Sequence, residues 1–332
     1  MMEALLDLFN TLFGGSTLGS AIRLSIPLIF CAMAGVWSER SGIVDIGLEG
    51  KLLISAFVAA VVSYETGFAL WGLLAAMAVS VGFSLVHGLA TITFRGDHVI
   101  SGLAINFLAI GLAKTIGHAI YAKGGDTPQV TDWGRWTSLL PDTWIVAIRD
   151  SSPLGNFAYQ VFLRHDLLVY LAFAAVPICA WFLYKSRFGL RVRAVGEYPA
   201  AVDTAGASVF GYRYAAVMIA GALCAFGGAY LSTSNIANFT HNMSAGMGYL
   251  ALAAVIFGKW RPIGAMLGCL LFGYAFALKD RFAGQQDGLF SWIPAQLFDA
   301  LPYIVVVIVL AGVVGAAVAP KAIGRPYLKE RE

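Results

Sequence analysis

Three carboxylates and two cations fall between positions 39 and 51 of this chain: Glu39, Arg40, Asp45, Glu49 and Lys51. Apolar sequence flanks them on both sides. Ionised groups at membrane depth are costly unless paired or hydrated, and those that persist there bind ions, relay protons or line a solute path. Glu39 beside Arg40, and Glu49 beside Lys51, offer local neutralisation. Gly42, Gly47 and Gly50 permit irregular turns and close backbone approach. Two readings stand side by side. One is a broken helix beside a translocation path, with Asp45 or Glu49 facing it. The other is a solvated loop at the foot of a membrane span.

Asn106 and Phe107 form a second constellation, within the apolar run that follows Val99. An amide with two donors and an acceptor suits hydroxyl or base-edge recognition. An aromatic ring beside it can stack on a base or cover sugar C–H groups. The plainer reading is interhelical packing, because Gly102 and one amide are common glue between membrane helices. A third cluster is cationic: Lys185, Arg187, Arg191 and Arg193. It runs into Tyr198–Ala207, which reads as a small amphipathic helix opened by Pro199. Such a segment between two apolar runs either fixes topology or receives a partner.

Other chemistries find no support. There is no Gly-x-x-x-x-Gly-Lys-(Ser/Thr) loop to cradle ATP, no HExxH, no GxSxG and no convincing carboxylate pair. Cys31, Cys179, Cys224 and Cys269 sit in apolar runs without a CxxC partner, so they read as packing residues and no metal site is expected. His241, in the polar stretch Ser234–Asn242, reads as a surface residue of the outer rim.

The elements that must position these groups are membrane spans. Apolar residues make up 59% of the chain and charged residues 12%, against roughly 25% charge in soluble domains. The mean hydropathy of +0.75 belongs to a polytopic membrane protein, not a nucleic-acid binder, despite the net charge of +3. About nine spans (eight to ten) are expected, all helical and in one domain covering 1–332. They fall near 20–37, 42–64, 68–91, 98–121, 166–184, 213–234, 243–258, 262–279 and 300–319. Residues 42–64 carry Asp45, Glu49 and Lys51, residues 98–121 carry Asn106, Lys114 and His118, and 243–258 are short and glycine-rich. All three are poor simple spans, and short or Gly/Pro-interrupted segments of this kind read as discontinuous or re-entrant helices that line a cavity. Alternating the Lys/Arg-rich segments puts 38–41, 92–97, 185–212, 259–261 and the tail after Ala319 inside, and the N-terminus outside. Lys259-Trp260-Arg261 reads as an interfacial anchor. The insertion 122–165 falls outside, and Trp133, Trp136 and Trp144 suggest interfacial pieces within it.

The stretch Gly189–Gly206 resembles the cytoplasmic coupling loop of permease subunits of bacterial ABC importers for simple sugars, nucleosides and branched-chain amino acids. There a Gly-x-Arg-x-Arg-Ala-x-Gly-x-x-Pro-x-Ala-Ala-x-x-x-Gly pattern precedes a membrane helix. Gly189, Arg191, Arg193, Ala194, Gly196, Pro199 and Gly206 match it. Glu39–Gly50 resembles the Glu-Arg-x-Gly-x-x-(Asn/Asp)-Ile-Gly-x-Glu-Gly signature of the nucleoside-like subgroup. Ser101, Gly102 and Asn106 resemble the family's Ser-Gly-x-x-x-Asn segment, and Gly246–Ala265 its Gly-x-Gly-(Tyr/Phe) stretch.

The resemblance implies a non-catalytic permease in the bacterial cytoplasmic (inner) membrane, with no cofactor of its own and ATP bound by a partner. It implies cytoplasmic ATPase subunits, a second permease subunit and an extracytoplasmic binding protein. Glu197, Pro199, Ala201, Asp203, Thr204 and Gly206 would then meet the ATPase. Ser101, Gly102, Asn106, Phe107, Asp45 and Glu49 would border the solute path. The solute is a nucleoside or a simple sugar. A branched-chain amino acid permease is the nearest alternative. An ion-coupled transporter using Asp45 or Glu49 is the rival from another class, and an intramembrane enzyme would lack a nucleophile–base pair.

Overall fold

A computed structural model describes residue 9 and residues 11–122, 124–137, 148–149, 152–284, 295–312 and 318–329. Apolar runs in a bilayer must satisfy every backbone group internally, and here they do so as helices. In order these are α1 (Gly15–Arg40), α2 (Leu48–Thr66), α3 (Ala69–Gly88), α4 (His98–Tyr121), α5 (Pro153–Ala158), α6 (Leu167–Lys185) and α7 (Arg187–Glu197). They continue with α8 (Pro199–Thr204), α9 (Val209–Tyr230), α10 (Met247–Phe257), α11 (Pro262–Gly284), α12 (Ala295–Asp299) and α13 (Leu301–Gly312). The described residues contain no β-strand. The fold is that of a multi-pass, all-α membrane protein.

Among the described residues six helices are long and apolar enough to cross a membrane: Thr11–Arg40, Ala69–Thr93, His98–Tyr121, Leu167–Lys185, Val209–Asn235 and Pro262–Phe282. Of their apolar stretches, 78% of the first and 67% of the fifth are buried, against 28–39% for the other four. The helices α1 and α9 are therefore the inner posts, and the others turn much of their surface outward. Around these posts, α1 packs on α11, α9, α10 and α6, while α2 packs on α3, α9 and α4. Small residues set the spacing. A Cβ on Gly228 would lie 2.6 Å from the Leu52 carbonyl, and one on Gly273 would lie 2.4 Å from that of Ala21.

Two expected spans are redrawn. The one placed at 42–64 begins as a turn and becomes helical only at Leu48. Gly42 there takes φ +92°, and the Ser38 hydroxyl donates to the Ile43 carbonyl at 2.8 Å, so the turn satisfies its own polar groups. The span at 243–258 is only 11 residues of α10. That is about 16 Å of helix, half of a hydrocarbon core of roughly 30 Å. Of the last expected span, 300–319, the described residues 301–312 form α13. Beyond it, residues 318–329 form a non-helical tail.

The segments expected to share a side do share one end of the bundle. Arg40 donates through Nε to the Trp260 carbonyl at 2.9 Å and through Nη2 to the Tyr184 hydroxyl at 3.3 Å. Val44 donates its N–H to His98 Nδ1 at 3.1 Å. The tail crosses this end: Ala322 N–H donates to the Gly196 carbonyl and Gly324 N–H to that of Gly42, both at 2.9 Å. Trp260 is no interfacial anchor. It is buried, and its indole N–H donates to the Glu39 carboxylate, because a carboxylate inside the bundle needs a donor more than a membrane surface needs a ring.

At the other end the insertion folds onto the segment after α9. Thr127 and Val130 donate to the carbonyls of Phe239 and Ala237 at 3.0 and 2.7 Å, and Trp136 to that of Thr233 at 3.2 Å. His241 is exposed there and lies 3.4 Å from the Asp126 carboxylate. Trp133 is 80% exposed, whereas Trp136 packs partly against the core. Trp144 lies outside the described residues.

Candidate functional site

The short length of α10 determines what sits at its start. A helix that begins partway into the bundle leaves N–H groups that need an acceptor. Its N-cap, Gly246, has φ +83° and no side chain to offer. Glu49, in the first turn of α2, supplies the acceptor. Its Oε1 takes the Ser244 hydroxyl at 2.6 Å and the Gly246 N–H at 2.9 Å, and its Oε2 takes the Gly248 N–H at 2.7 Å. A carboxylate on a helix N-terminus is also favoured by the helix dipole. Gly248 is required for this approach, because a Cβ there would lie 2.5 Å from the Glu49 nitrogen.

Asn106, on α4, closes the opposite wall. Its Oδ1 accepts from the Gly50 N–H at 2.7 Å, and its Nδ2 donates to the Ile46 carbonyl at 3.1 Å and to the Tyr249 hydroxyl at 2.9 Å. Gly50 again permits the contact: a Cβ would lie 2.7 Å from the Asn106 Cα. Gly102 does the same one turn earlier, against the Gly47 N–H. The start of α2 is thus held between α4 and α10 by two polar side chains. A cavity of about 270 Å³ opens there, lined by Glu49, Gly50, Leu53, Asn106, Ile110, Asn242, Ser244, Ala245, Gly246 and Tyr249.

Of the residues singled out in the sequence, Glu49 and Asn106 come together at this cavity. Phe107 does not join them. It is 72% exposed while Asn106 is 3% exposed, since adjacent helical positions point about 100° apart. Ser101 is also elsewhere, 2.9 Å from His87 Nδ1. Asp45 is fully buried away from the cavity. It accepts from Lys51 Nζ at 2.5 Å and lies 3.9 Å from His87. The pairings expected from adjacency, Glu39 with Arg40 and Glu49 with Lys51, do not form. Residues one or two apart on a helix face different ways, so Lys51 reaches back to Asp45 and leaves Glu49 to α10. Tyr249 and Ser244 were missed as cavity residues. The Gly-x-Gly-Tyr stretch signalled their neighbourhood, but nothing local revealed its partner, nearly two hundred positions earlier.

At the end where the tail lies, α7 and α8 form the segment that resembles a coupling loop. Ser186 caps α7, accepting the Gly189 N–H at 3.0 Å, and Pro199 opens α8. Gly196 presses on α1, where a Cβ would meet the Arg40 carbonyl at 2.1 Å. The cations are engaged: Arg191 donates to the Tyr212 hydroxyl at 2.7 Å and Arg193 to the Leu183 carbonyl at 2.9 Å. Val202 packs inward with Val195 and Val209. Glu197, Tyr198, Ala201, Thr204 and Gly206 remain on the open side. Gly206 ends α8 with φ +77° and donates to the Asp203 carbonyl at 2.9 Å. Among the described residues no group of three His, Cys, Asp or Glu side chains could hold a metal ion.

Known proteins resemble this chain in sequence. The chain is 42% identical over 315 residues to the Guanosine ABC transporter permease protein NupQ of Bacillus subtilis (strain 168), covering 91% of this chain and 93% of that one. It is 37% identical over 316 residues to the Nucleoside ABC transporter permease protein NupC of Lactococcus lactis subsp. cremoris (strain MG1363), covering 92% and 95%. No solved structure matches it. Residues 17–310 match the family described as Branched-chain amino acid transport system / permease component. With that match spanning α1 to α13, the chain belongs to this family of ABC transporter permeases.

Proposed function

We propose that the chain is the permease subunit of an importer that carries nucleosides across a bacterial cytoplasmic membrane. The observation that carries the substrate is likeness over more than nine-tenths of the chain to two permeases named for guanosine and nucleosides. In this reading the cavity between α2, α4 and α10 is one wall of the solute path. Its volume of about 270 Å³ lies just under the roughly 300–1,000 Å³ of complete small-molecule sites, which fits a path shared with a second permease subunit. Tyr249, 44% exposed at its mouth, offers a ring for a base to stack on. Glu49 and Asn106 spend their hydrogen-bonding capacity on the protein and so shape the wall without gripping the solute.

The exposed side of α8 would seat in a cytoplasmic ATPase, and the end bearing the insertion would meet an extracytoplasmic binding protein. ATPase closure would then press on α8 and, through Gly196 against α1, on the bundle, a two-state element biased from a distance. An ion-coupled transporter fits less well, because Asp45 is already paired with Lys51 and Glu49 already accepts three hydrogen bonds.

The test is ATPase stimulation and uptake in proteoliposomes holding the chain with its partner subunits. The panel is purine and pyrimidine nucleosides, hexoses and branched-chain amino acids. Stimulation by nucleosides is expected. A response confined to hexoses or to branched-chain amino acids overturns the substrate, and uptake driven by an ion gradient without ATP overturns the class.

A further inference from the structure

Three arginines converge at the end of the bundle away from the coupling segment. Arg23 of α1, Arg164 just before α6 and Arg281 near the end of α11 line one cavity of about 230 Å³ with Ser16, Ser20 and Gln160. Arg23 donates to the Ser20 hydroxyl at 2.9 Å, and Arg281 donates to that of Ser16. Among the described residues no carboxylate forms an ion pair with any of the three; Asp166 acts on Arg23 from beyond that distance. Three guanidinium groups brought together with no carboxylate in ion-pair reach repel one another, and the one nearby acid leaves an excess of positive charge that calls for an anion.

Two further observations identify the anion's source. The first is depth. Arg23 lies 17 positions before Arg40, and Arg281 lies 19 positions after Pro262. At 1.5 Å per residue these are about 25–29 Å from the coupling end, close to the far boundary of a hydrocarbon core of roughly 30 Å. The second is an apolar groove of about 650 Å³ alongside, lined by Phe13, Leu18, Pro153 and Phe157 among others, which shares Gln160 with the arginine cavity. A polar anion pocket at headgroup level, continuous with an apolar channel, is complementary to one class of molecule.

We propose that this composite site binds an anionic phospholipid of the outer leaflet. The phosphate sits among Arg23, Arg164 and Arg281 with the two serine hydroxyls, and one acyl chain runs along the Phe13–Phe157 groove. Lipid bound there bridges α1, α11 and the turn that leads into α6, which carry the three cations.

The test uses the full chain purified in detergent, delipidated, and titrated separately with dioleoyl phosphatidylglycerol, dioleoyl phosphatidylcholine and inorganic phosphate. Binding is read by native mass spectrometry and by the shift in Tm. Phosphatidylglycerol is expected to bind and raise Tm, and the other two are not. The double variant Arg164→Gln/Arg281→Gln should weaken phosphatidylglycerol binding by about tenfold or more, the scale of lost charge-assisted hydrogen bonds. Its Tm without lipid should hold or rise, because repulsion is relieved. Leu18→Ser/Phe157→Ala should weaken phosphatidylglycerol binding while leaving the cations in place. Equal shifts with inorganic phosphate would reduce the site to a free-anion pocket. Undiminished phosphatidylglycerol binding in the arginine variant would overturn the proposal. Lost association with the extracytoplasmic binding protein while lipid binding persists would reassign the cations to protein docking.

Discussion

Glu49, in the first turn of α2, and Asp203, on the six-residue α8, are both carboxylates, yet their surroundings are opposite. Glu49 takes three donors within 2.9 Å from Ser244, Gly246 and Gly248 and is buried. Among the described residues Asp203 has one ion-pair partner, Lys329 at 3.7 Å, whose side chain is 67% exposed. The same contrast holds for their neighbourhoods. Around the cavity, polar side chains hold helices in place. Along α8, the side chains of Ala201 and Thr204 are exposed. The difference separates residues that build the machine from residues free to meet another subunit.

That contrast can be broken by substitution, starting where burial is deepest. Lys51→Met should be the most damaging change, at about 3–5 kcal/mol, because it strands the fully buried Asp45 charge. Asp45→Asn/Lys51→Met should cost less than Lys51→Met alone, and thermal unfolding of the purified chain measures both. Glu49→Ala should cost about 3 kcal/mol by leaving buried N–H groups at the start of α10 unpaired, with Glu49→Gln milder. If Glu49→Ala instead raises Tm, the cap is not what holds α10.

Asn106→Ala should cost about 2 kcal/mol through lost bonds to Gly50, Ile46 and Tyr249, whereas Phe107→Ala should cost less than about 0.5 kcal/mol. Equal losses for the two would erase the distinction between the faces of α4. Gly206→Leu should cost about 1–2 kcal/mol for its left-handed backbone, although no atom lies within 4 Å of its added Cβ. Smallest in stability are Ala201→Glu and Thr204→Lys, within about 0.5 kcal/mol of the parent. Both should nonetheless uncouple ATP hydrolysis from uptake in proteoliposomes. Normal coupling in both would remove α8 from the ATPase interface.

The two regions also differed in how far the sequence could be read. The coupling segment was legible because its signals are local. Pro199 and the cations lie within one stretch, and α8 formed where the short helix was expected, although α7 over the cationic cluster was not foreseen. The apolar helices were legible for the same reason, through length and composition. The cavity was only half legible. Glu49 and Asn106 stood out as polar groups in apolar sequence, but their partners come from α10 and from the turn before α2. Adjacent charges suggested the wrong pairs, because helical geometry separates neighbours that the one-dimensional string places side by side. Phe107 was misplaced next to Asn106 by the same error. Trp260 was read as a surface anchor because a basic dipeptide frames it, and only the fold brings Glu39 to it.

The tail has a consequence for how the protein is made. Ala322 and Gly324 bond to the backbone of Gly196 and Gly42, and Lys329 reaches Asp203. Ribosomes deliver the coupling helix well before the strip that fastens it. During that interval the nascent permease presents α8 on an unfinished foundation. If α8 seats in an ATPase as proposed, assembly has a built-in order, in which translation of the tail precedes a firm dock. A ribosome stalled before Ala322 should then yield a membrane-inserted chain that captures its ATPase poorly.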